Sequence, residues 1–336
     1  MNNSKKIFLI AEIGVNHNGN LKRAFKLVKI AKNAGFDAVK FQTIIPRNLC
    51  IESAPLAKYQ KRSKYKDQFT MLEKISLSFV DFKKLYKYCK SQKILFISTP
   101  FDNESAIFLN KLGQKIFKIS SGDLDNHLLL KTIKSFKKKI ILSTGMSTFQ
   151  EIIDSLKFLK YNKKKLHLLH CVSDYPTKLK DTNFGFFNKL KKLGYSIGFS
   201  DHTLGFEASV FALSMGAKII EKHITIKKTD IGPDHFCSLE AENCKKFVET
   251  IRALEFSMSQ KNKNLTTQEK LTRNIARKSI YSRINLPVNT TLTEKNVIAL
   301  RPKLKGISPK EFTNYLNKKT KHFIPKNTLI LKKNLF

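Results

Sequence analysis

The segment Ile7-Phe-Leu-Ile-Ala-Glu12 joins five apolar residues to a carboxylate, and seven later segments end in the same way. Each is a short run rich in Ile, Val, Leu and Phe that stops at side chains able to do chemistry. The polar ends of the eight runs are, in chain order, Glu12, Asn16 and His17; Lys40 and Gln42; Ser98 and Thr99; Lys118, Ser120 and Ser121; Ser143 and Thr144; His170, Cys171 and Ser173; Ser200, Asp201 and His202; Glu221 and His223. Buried strands that alternate with helices and present polar groups at their carboxyl ends predict an α/β fold, the (β/α)8 TIM barrel.

Amphipathic helical patterns separate these strands. They cover Leu21 to Ala34, Phe79 to Cys89, Ser105 to Leu112, Phe149 to Leu159, Phe206 to Met215 and Ala241 to Met258. The connection from Ile44 to Lys74 is too long for a simple loop, and its place after the second strand predicts a lid or specificity segment. Its Tyr59 and Gln60 either reach a substrate or pack on the barrel rim.

The length of 336 residues leaves room for a second domain beside a barrel, which takes about 250 residues. Polarity rises after Ser257, and short alternating strands and turns follow. We therefore predict a catalytic barrel at 1–258, a linker at 259–274 and a small β-rich domain at 275–336. Within the last, Pro287 to Val297 is echoed by Pro325 to Leu335, which predicts internal pseudo-symmetry.

The formal net charge of +37 raises the possibility of a nucleic-acid partner. The lysines are dispersed through the helical segments, and no RNP, zinc-finger or helix-turn-helix pattern is present, so we expect no specific nucleic-acid binding. A positive field instead favours encounter with a small anionic substrate.

The five cysteines are scattered and contain no CxxC pair, which argues against a disulfide framework and against a thiolate zinc site. The sequence has neither a signal-peptide pattern nor an apolar span of about 20 residues. We therefore expect a soluble cytoplasmic protein that makes no membrane contact.

Two histidines, His202 and His223, end the seventh and eighth strands, which are neighbours in a closed barrel. Two imidazoles with a carboxylate from Glu12, Asp201 or Glu221 predict a site for a divalent cation. Nitrogen and oxygen ligands suit Mn²⁺, Mg²⁺, Co²⁺ or Zn²⁺, and ligand type does not choose among them.

Two lysines, Lys40 and Lys118, end the second and fourth strands. A lysine at this place is either a Schiff-base nucleophile or a point charge for phosphate and carboxylate. Four hydroxyl groups accompany the pair and favour a cradle for a small dianion; they belong to Thr99, Ser121, Ser143 and Ser200. The Glu12 carboxylate is a candidate general acid or base, or a partner for a lysine.

Several motifs together resemble the sialic-acid synthase family. They are Ile10-Ala-Glu-Ile-Gly-Val-Asn-His-Asn-Gly19, Val39-Lys-Phe-Gln-Thr43, Phe96-Ile-Ser-Thr-Pro-Phe101, Leu142-Ser-Thr-Gly-Met146, Gly198-Phe-Ser-Asp-His-Thr203 and Gly232-Pro-Asp234. The tail, through Arg277-Lys-Ser279 and Leu300-Arg301-Pro302, resembles the antifreeze-like (SAF) domain of that family.

The resemblance implies a transferase that condenses phosphoenolpyruvate with an N-acylated amino sugar, giving a nine-carbon 2-keto acid and phosphate. It implies that His202 and His223 hold a divalent metal, Mn²⁺ with Mg²⁺ or Co²⁺ as alternatives, and that Glu12 is the acid or base. The residues implied for phosphoenolpyruvate are Lys40, Thr99, Lys118, Ser121, Ser143 and Ser200. Those implied for the sugar are Gln42, Asp123, Tyr175 and Asp234, with Arg301 supplied by the other subunit of a domain-swapped homodimer.

Two positions depart from the branch that forms N-acetylneuraminate. Asp123 stands where Glu is usual, which moves the carboxylate by about 1.5 Å, and Ser173 stands where Asn is frequent. These changes leave two acceptors open: N-acetylmannosamine, and a 2,4-diacetamido-2,4,6-trideoxyhexose that leads to N,N'-diacetyllegionaminate. Two other functions also stay open, a non-catalytic barrel that binds glycans or polyanions, and a metal-dependent sugar-acid aldolase.

Overall fold

Eight parallel strands form the barrel of the protein, which we describe from a computed structural model covering residues 6–260 and 262–336. The strands are β1 Phe8–Gly14, β2 Ala38–Thr43, β3 Leu95–Pro100, β4 Ile116–Ile119, β5 Lys139–Ser143, β6 Leu166–His170, β7 Ser196–Asp201 and β8 Ile219–Thr225. Their hydrogen-bonded order is β3-β2-β1-β8-β7-β6-β5-β4. Strands β3 and β4 lie side by side at the two ends of this path, so the barrel is nearly closed. The predicted strands and the TIM-barrel fold are confirmed.

Helices surround the barrel and connect its strands. They are α1 Leu21–Ala34, α2 Pro46–Leu49, α3 Gln68–Ile75, α4 Phe79–Ser91, α5 Asn103–Leu112, α6 His127–Ser135, α7 Phe149–Leu159, α8 Phe184–Lys191, α9 Glu207–Ser214 and α10 Ala241–Ser259. The sequence patterns located all but α2, α3, α6 and α8, which are short. Helix α1 shows how local chemistry sets the bounds: the Asn20 side chain accepts from the Arg23 amide at its start, and Gly35 ends it at φ 93°.

The barrel interior is built in two layers. The lower layer is apolar and holds Ile10, Ala38, Ile97, Ile141, Leu169 and Ile219. Two residues further along, the same strands present Glu12, Lys40, Thr99, Ser143, Cys171 and Glu221. Because side chains alternate with a period of two along a strand, both sets point inward. The apolar layer is therefore the floor of a polar site at the carboxyl ends of the strands.

The opposite faces of the strands pack against the helices. There, Lys222 on β8 lies 3.1 Å from a carboxylate oxygen of Asp201 on β7, and both side chains are fully buried. The same carboxylate accepts from Thr203 and Ser209. This ion pair ties the two strands together behind the residues that they present to the interior.

The second compact unit spans Gln260–Phe336. Its strands β9 Ser279–Ser282 and β10 Val297–Leu300 are antiparallel. The internal sequence repeat is also present in the backbone hydrogen bonds. Leu286 and Ile324 precede the two equivalent prolines, and each donates its backbone N–H to the carbonyl of the other, at 2.8 and 2.9 Å. Two-fold pseudo-symmetry in this unit follows from the pairing of equivalent positions.

Equivalent positions of the two repeated segments also share backbone conformation and burial. Asn289 and Asn327 adopt left-handed backbone conformations at φ 62° and 61°, which asparagine tolerates better than most residues. Leu292 and Ile330 are both fully buried in the core of this unit. A helix that the sequence patterns did not reveal, α11 Thr267–Ala276, occupies part of the predicted linker and begins with a capping box from Thr266 and Glu269.

Each of the five cysteines is a free thiol. Within residues 6–260 and 262–336, none of the helices combines the length and apolar composition that crossing a bilayer requires.

Candidate active site

A cavity of about 790 Å³ opens at the carboxyl ends of the barrel strands. Its wall contains fourteen of the predicted site residues: Glu12, Lys40, Gln42, Tyr59, Gln60, Thr99, Lys118, Ser121, Ser143, Ser173, Tyr175, Ser200, His202 and His223. The long connection after β2 forms part of the same wall through Leu49, Ala57 and Leu72. The segment that the sequence singled out therefore borders the cavity.

Lys40 lies between two carboxylates. Its ammonium is 2.7 Å from Glu12 and 3.8 Å from Glu221, and it donates to Thr99 at 3.3 Å. Burial opposes the ammonium charge, but the two carboxylates outweigh it and raise the pKa of Lys40. Burial raises the pKa of Glu12 to about 7, whereas Lys40 and Lys118 overcome burial and lower the pKa of Glu221. Of the two carboxyl groups, Glu12 is the one suited to exchange a proton near neutral pH.

Lys118 is the second buried ammonium of the cavity. It donates to the Ser143 hydroxyl at 2.6 Å and to the Ile119 carbonyl at 3.0 Å, and it forms no ion pair with any residue that the structure describes. Burial lowers its pKa. An anion placed beside this group would stabilise its charge.

The two predicted metal-binding histidines face each other with ring centroids 5.6 Å apart. Nδ1 of His202 donates to the Val172 carbonyl at 2.7 Å, which leaves Nε2 unprotonated. Burial lowers the pKa of His202 to about 4 and the pKa of His223 well below its usual value, so both rings are neutral. Nδ1 of His223 is buried and has no hydrogen-bond partner among the described residues.

These features suit cation ligation, which needs neutral imidazoles with free lone pairs. Of the carboxylates considered from the sequence, Asp201 faces the helices, where Lys222, Thr203 and Ser209 occupy it. In the described part of the chain, no group of three His, Cys, Asp or Glu side chains is arranged to hold a metal ion. The protein ligands that fit are therefore two imidazoles.

Aromatic contacts join the long connection to the histidines. The ring centroids of Tyr59 and Tyr175 are 4.8 Å apart, and those of Tyr175 and His202 are 4.2 Å apart. Nearby, the Arg62 guanidinium stacks 3.9 Å from the Phe236 ring. Neither Arg62 nor Phe236 belongs to a sequence motif. The contact between the connection after β2 and the loop after β8 is therefore visible only in the structure.

Three predicted residues lie elsewhere. Asp123 is outside the wall of the large cavity, and its carboxyl oxygens accept from Ser120 and Asn126 at 2.7 and 3.0 Å. Asp234 borders a smaller cavity beside His223, and burial raises its pKa to about 6. Arg301 is exposed and belongs to the second unit. Sugar contacts by all three stay predictions.

Glu221 is a cavity residue that the sequence offered only as one of three possible metal partners. It accepts from the Ser200 hydroxyl at 2.8 Å and faces Lys40. The sequence feature that could have predicted this position is its spacing from His223. Glu221 lies two residues before His223 on the same strand, so both side chains point inward.

Two family models cover most of the chain. The NeuB family model matches residues 27–263. The chain belongs to the NeuB family. The SAF domain model matches residues 277–335, which confirms the resemblance of the tail.

Several curated relatives of this NeuB chain are sugar-acid synthases. It is 39% identical to the N,N'-diacetyllegionaminic acid synthase of Campylobacter jejuni over 94% of this chain and 96% of that protein. It is 38% identical to the enzyme of the same name from Legionella pneumophila over 98% and 94%. The crystal structure of the N-acetylneuraminic acid synthetase of Leptospira borgpetersenii is similar, with 29% identity, a TM-score of 0.67 and coverage of 80% and 90%. The NeuB chain is an enzyme of this synthase type.

Gly145 sits where the hydroxyls of Ser121 and Ser173 meet at 3.1 Å. A Cβ at this glycine would collide with the Ser173 hydroxyl and lie 2.9 Å from the Cys171 sulfur. We expect Gly145→Ala to displace these groups and to lower the synthase rate about tenfold or more.

The matched control is Gly185→Ala in α8, where an added Cβ meets nothing within 4 Å. It should keep full activity and stabilise the helix by about 0.5–1 kcal/mol. Steady-state rates and urea unfolding of both variants provide the measurement, and equal rates for the two would contradict the role of Gly145.

Proposed function

We propose that the chain condenses phosphoenolpyruvate with a 2,4-diacetamido-2,4,6-trideoxyhexose to give N,N'-diacetyllegionaminate and phosphate. The two relatives at 38–39% identity carry the name of that product, which favours this acceptor over N-acetylmannosamine. The cavity of about 790 Å³ lies in the range of small-molecule sites, about 300–1,000 Å³, and has room for both substrates.

The observation that carries the proposal is the pair of buried ammonium groups with hydroxyls around them. Lys118 forms no ion pair in the described residues, and its contact with Ser143 places a neutral donor beside it. Lys40 lies in the wall of the same cavity and donates a hydrogen bond to the Thr99 hydroxyl. Phosphoenolpyruvate has a phosphate and a carboxylate, and two cations with hydroxyl donors fit both groups.

The proposed reaction forms a bond between C3 of phosphoenolpyruvate and the aldehyde carbon of the open-chain sugar, whose oxygen takes up a proton from Glu12. Positive charge develops at C2 of phosphoenolpyruvate, where water adds. Glu12, with a pKa of about 7, accepts the proton from that water. The C–O bond to phosphate then breaks, the remaining hydroxyl proton at C2 passes to the departing phosphate, and C2 becomes the keto carbon of the product. Lys40 and Lys118 are already in place to stabilise the departing phosphate.

His202 and His223 are the residues that would hold a divalent cation, Mn²⁺ with Mg²⁺ or Co²⁺ as alternatives. Nδ1 of His223 has no hydrogen-bond partner in the described part of the chain and both rings are neutral, which supports this assignment. When bound, such a cation supplies Lewis-acid polarisation of the aldehyde oxygen.

A domain-swapped homodimer is the assembly that we propose, with Arg301 reaching the cavity of the partner subunit. Exposed apolar side chains on the loops that follow the barrel strands support a covering partner there. They are Ile51, Met146, Leu179, Leu204, Ile231 and Phe236. The second unit also exposes apolar side chains, namely Ile284, Val288, Leu304 and Phe323.

The product formed from a mixture of acceptors tests the function. The protein is incubated with phosphoenolpyruvate, Mn²⁺, N-acetylmannosamine and 2,4-diacetamido-2,4,6-trideoxyhexoses, and the products are identified by mass spectrometry. We expect the diacetamido nine-carbon acid with one phosphate released per product. N-acetylneuraminate as the main product would overturn the choice of acceptor, and turnover with pyruvate in place of phosphoenolpyruvate would indicate an aldolase.

The binding of phosphoenolpyruvate by Lys40 and Lys118, which we call the lysine cradle, can be tested separately. Lys118→Met should raise KM for phosphoenolpyruvate about 10- to 100-fold, because hydrogen bonds to a charged group contribute about 1.5–3 kcal/mol. Lys115→Met, an exposed position just before the same strand, should leave KM unchanged. Phosphate release at varied phosphoenolpyruvate measures both, and an unaltered KM in Lys118→Met would exclude the cradle.

The imidazole pair predicts metal binding that does not depend on turnover. Titration calorimetry should show Mn²⁺ binding to the chelator-treated protein and a loss of at least about tenfold in affinity for His202→Ala. His322→Ala, an exposed histidine of the second unit, is the control and should bind as the parent protein does. Undiminished binding by His202→Ala would contradict the assignment.

A further inference from the structure

Seven short connections of the barrel lead from the end of a helix to the start of the next strand. They occupy 35–37, 92–94, 113–115, 136–138, 160–165, 192–195 and 215–218. Because each precedes a strand of a parallel barrel, all seven lie at the amino ends of the strands, opposite the cavity. We call the surface that they form the amino face.

The amino face is strongly basic. Its seven connections contain ten lysines and a single acidic residue, Asp37, with no arginine and no glutamate. The lysines are Lys93, Lys115, Lys137, Lys138, Lys160, Lys163, Lys164, Lys165, Lys192 and Lys218. All of them except the half-buried Lys138 are exposed. These lysines are dispersed along the sequence, and the fold brings them to one face.

The opposite face of the barrel has balanced charge. The eight connections that follow the strands, with α2 and α3 included, lie at 15–20, 44–78, 101–102, 120–126, 144–148, 171–183, 202–206 and 226–240. They contain eleven lysines and arginines and eleven aspartates and glutamates. A general abundance of lysine would make both faces basic, so it does not account for the amino face.

Three of the ten lysines have a structural role. Each donates to a backbone carbonyl of a neighbouring connection, where helices end with free carbonyl groups that favour a cation. The pairs are Lys138 with Gln114 at 2.8 Å, Lys163 with Leu193 at 2.9 Å and Lys165 with Lys137 at 3.2 Å. The other seven ammonium groups make no hydrogen bond or ion pair with any residue that the structure describes.

The one carboxylate of the amino face is already engaged. Asp37 accepts from the Leu9 amide at 2.8 Å and pairs with Lys6 at 3.0 Å and with Arg252 at 2.5 Å. The seven remaining ammonium groups therefore repel one another without a nearby carboxylate to offset the repulsion. An anionic partner would offset it.

We propose that the amino face docks the protein on an anionic phospholipid surface. Lysines close to such a surface are attracted by its negative potential over about a Debye length. The cavity opens on the other face of the barrel, so docking leaves it accessible to substrates. The sequence-based expectation of no membrane contact considered apolar segments, whereas this contact is made through charge.

The composition of the amino face favours lipid over other anionic partners. Protein interfaces are enriched in aromatic residues and arginine, and none of the exposed large apolar side chains of the described residues lies in these connections. Sequence-reading contacts to nucleic acid use bidentate arginine, asparagine or glutamine, and these connections contain no arginine. Short connections that present lysines as point charges match a broad anionic surface.

The test compares two variants with the same net charge. The face variant combines Lys115→Gln, Lys137→Gln, Lys164→Gln and Lys218→Gln, all exposed and without a side-chain partner among the described residues. The control combines Lys26→Gln, Lys83→Gln, Lys131→Gln and Lys246→Gln, exposed lysines within α1, α4, α6 and α10. Co-sedimentation at about 0.15 M salt measures binding to phosphatidylcholine vesicles with and without phosphatidylglycerol.

We expect the parent protein to bind the vesicles that contain phosphatidylglycerol and not those of phosphatidylcholine alone, and to dissociate as salt is raised. A lysine near an anionic surface contributes roughly fivefold to binding, so the face variant should bind at least about 30-fold more weakly. The control should stay within about threefold of the parent protein, because its charges lie more than a Debye length from the surface. Both variants should keep the parent melting temperature.

Absence of binding by the parent protein, or unchanged binding by a folded face variant, would overturn the proposal. An equal loss in both variants would overturn it as well, since net charge alone would then set the affinity. Duplex DNA provides a further arm: binding to it that the face variant loses, with no binding to vesicles, would identify a nucleic acid as the partner instead. None of these measurements requires turnover, so they are independent of the proposed reaction.

Discussion

The barrel interior changes from apolar to ionic within a single two-residue step, and the site depends on that change. Ile10 precedes Glu12, Ala38 precedes Lys40 and Ile219 precedes Glu221. The apolar layer closes the barrel below the charges and excludes water on that side, so the charged groups are buried at the bottom of a cavity open at one end. Burial of this kind strengthens electrostatic interactions and shifts pKa values.

Charge balance explains how such a layer is tolerated. Two ammonium groups, Lys40 and Lys118, lie near two carboxyl groups, Glu12 and Glu221, while both imidazoles are neutral. The ammonium charge is distributed unevenly, because Lys40 contacts both carboxyl groups and Lys118 contacts neither. The side of the cavity near Lys118 therefore attracts anions, and the side near Glu12 is suited to proton exchange.

Much of this could be read from the sequence because strand ends carry a two-residue period and the barrel brings them to one rim. Lys40, Lys118, Thr99, Ser143 and the two histidines were placed by that rule alone. Short helices such as α6 and α8 contain too few turns for a clear 3.6-residue pattern. The same two-residue period places Asp201, which lies between the inward Ser200 and His202, on the outer face of β7, so its direction could have been predicted. The contact between Arg62 and Phe236 depends on loop conformation and has no local signature.

The wall of the cavity has two origins. The barrel strands contribute the lysines, hydroxyls and imidazoles, whose positions are fixed by the hydrogen-bonded sheet. The loops after the strands contribute the remaining surface, mainly the connection between β2 and α4 through Tyr59 and Gln60, and the loop after β6 through Ser173 and Tyr175. Under the proposed function, substitutions in these loops would alter which acceptor is admitted while the strands keep the residues of the reaction. The loops can therefore vary in sequence without any change in the hydrogen-bonded sheet.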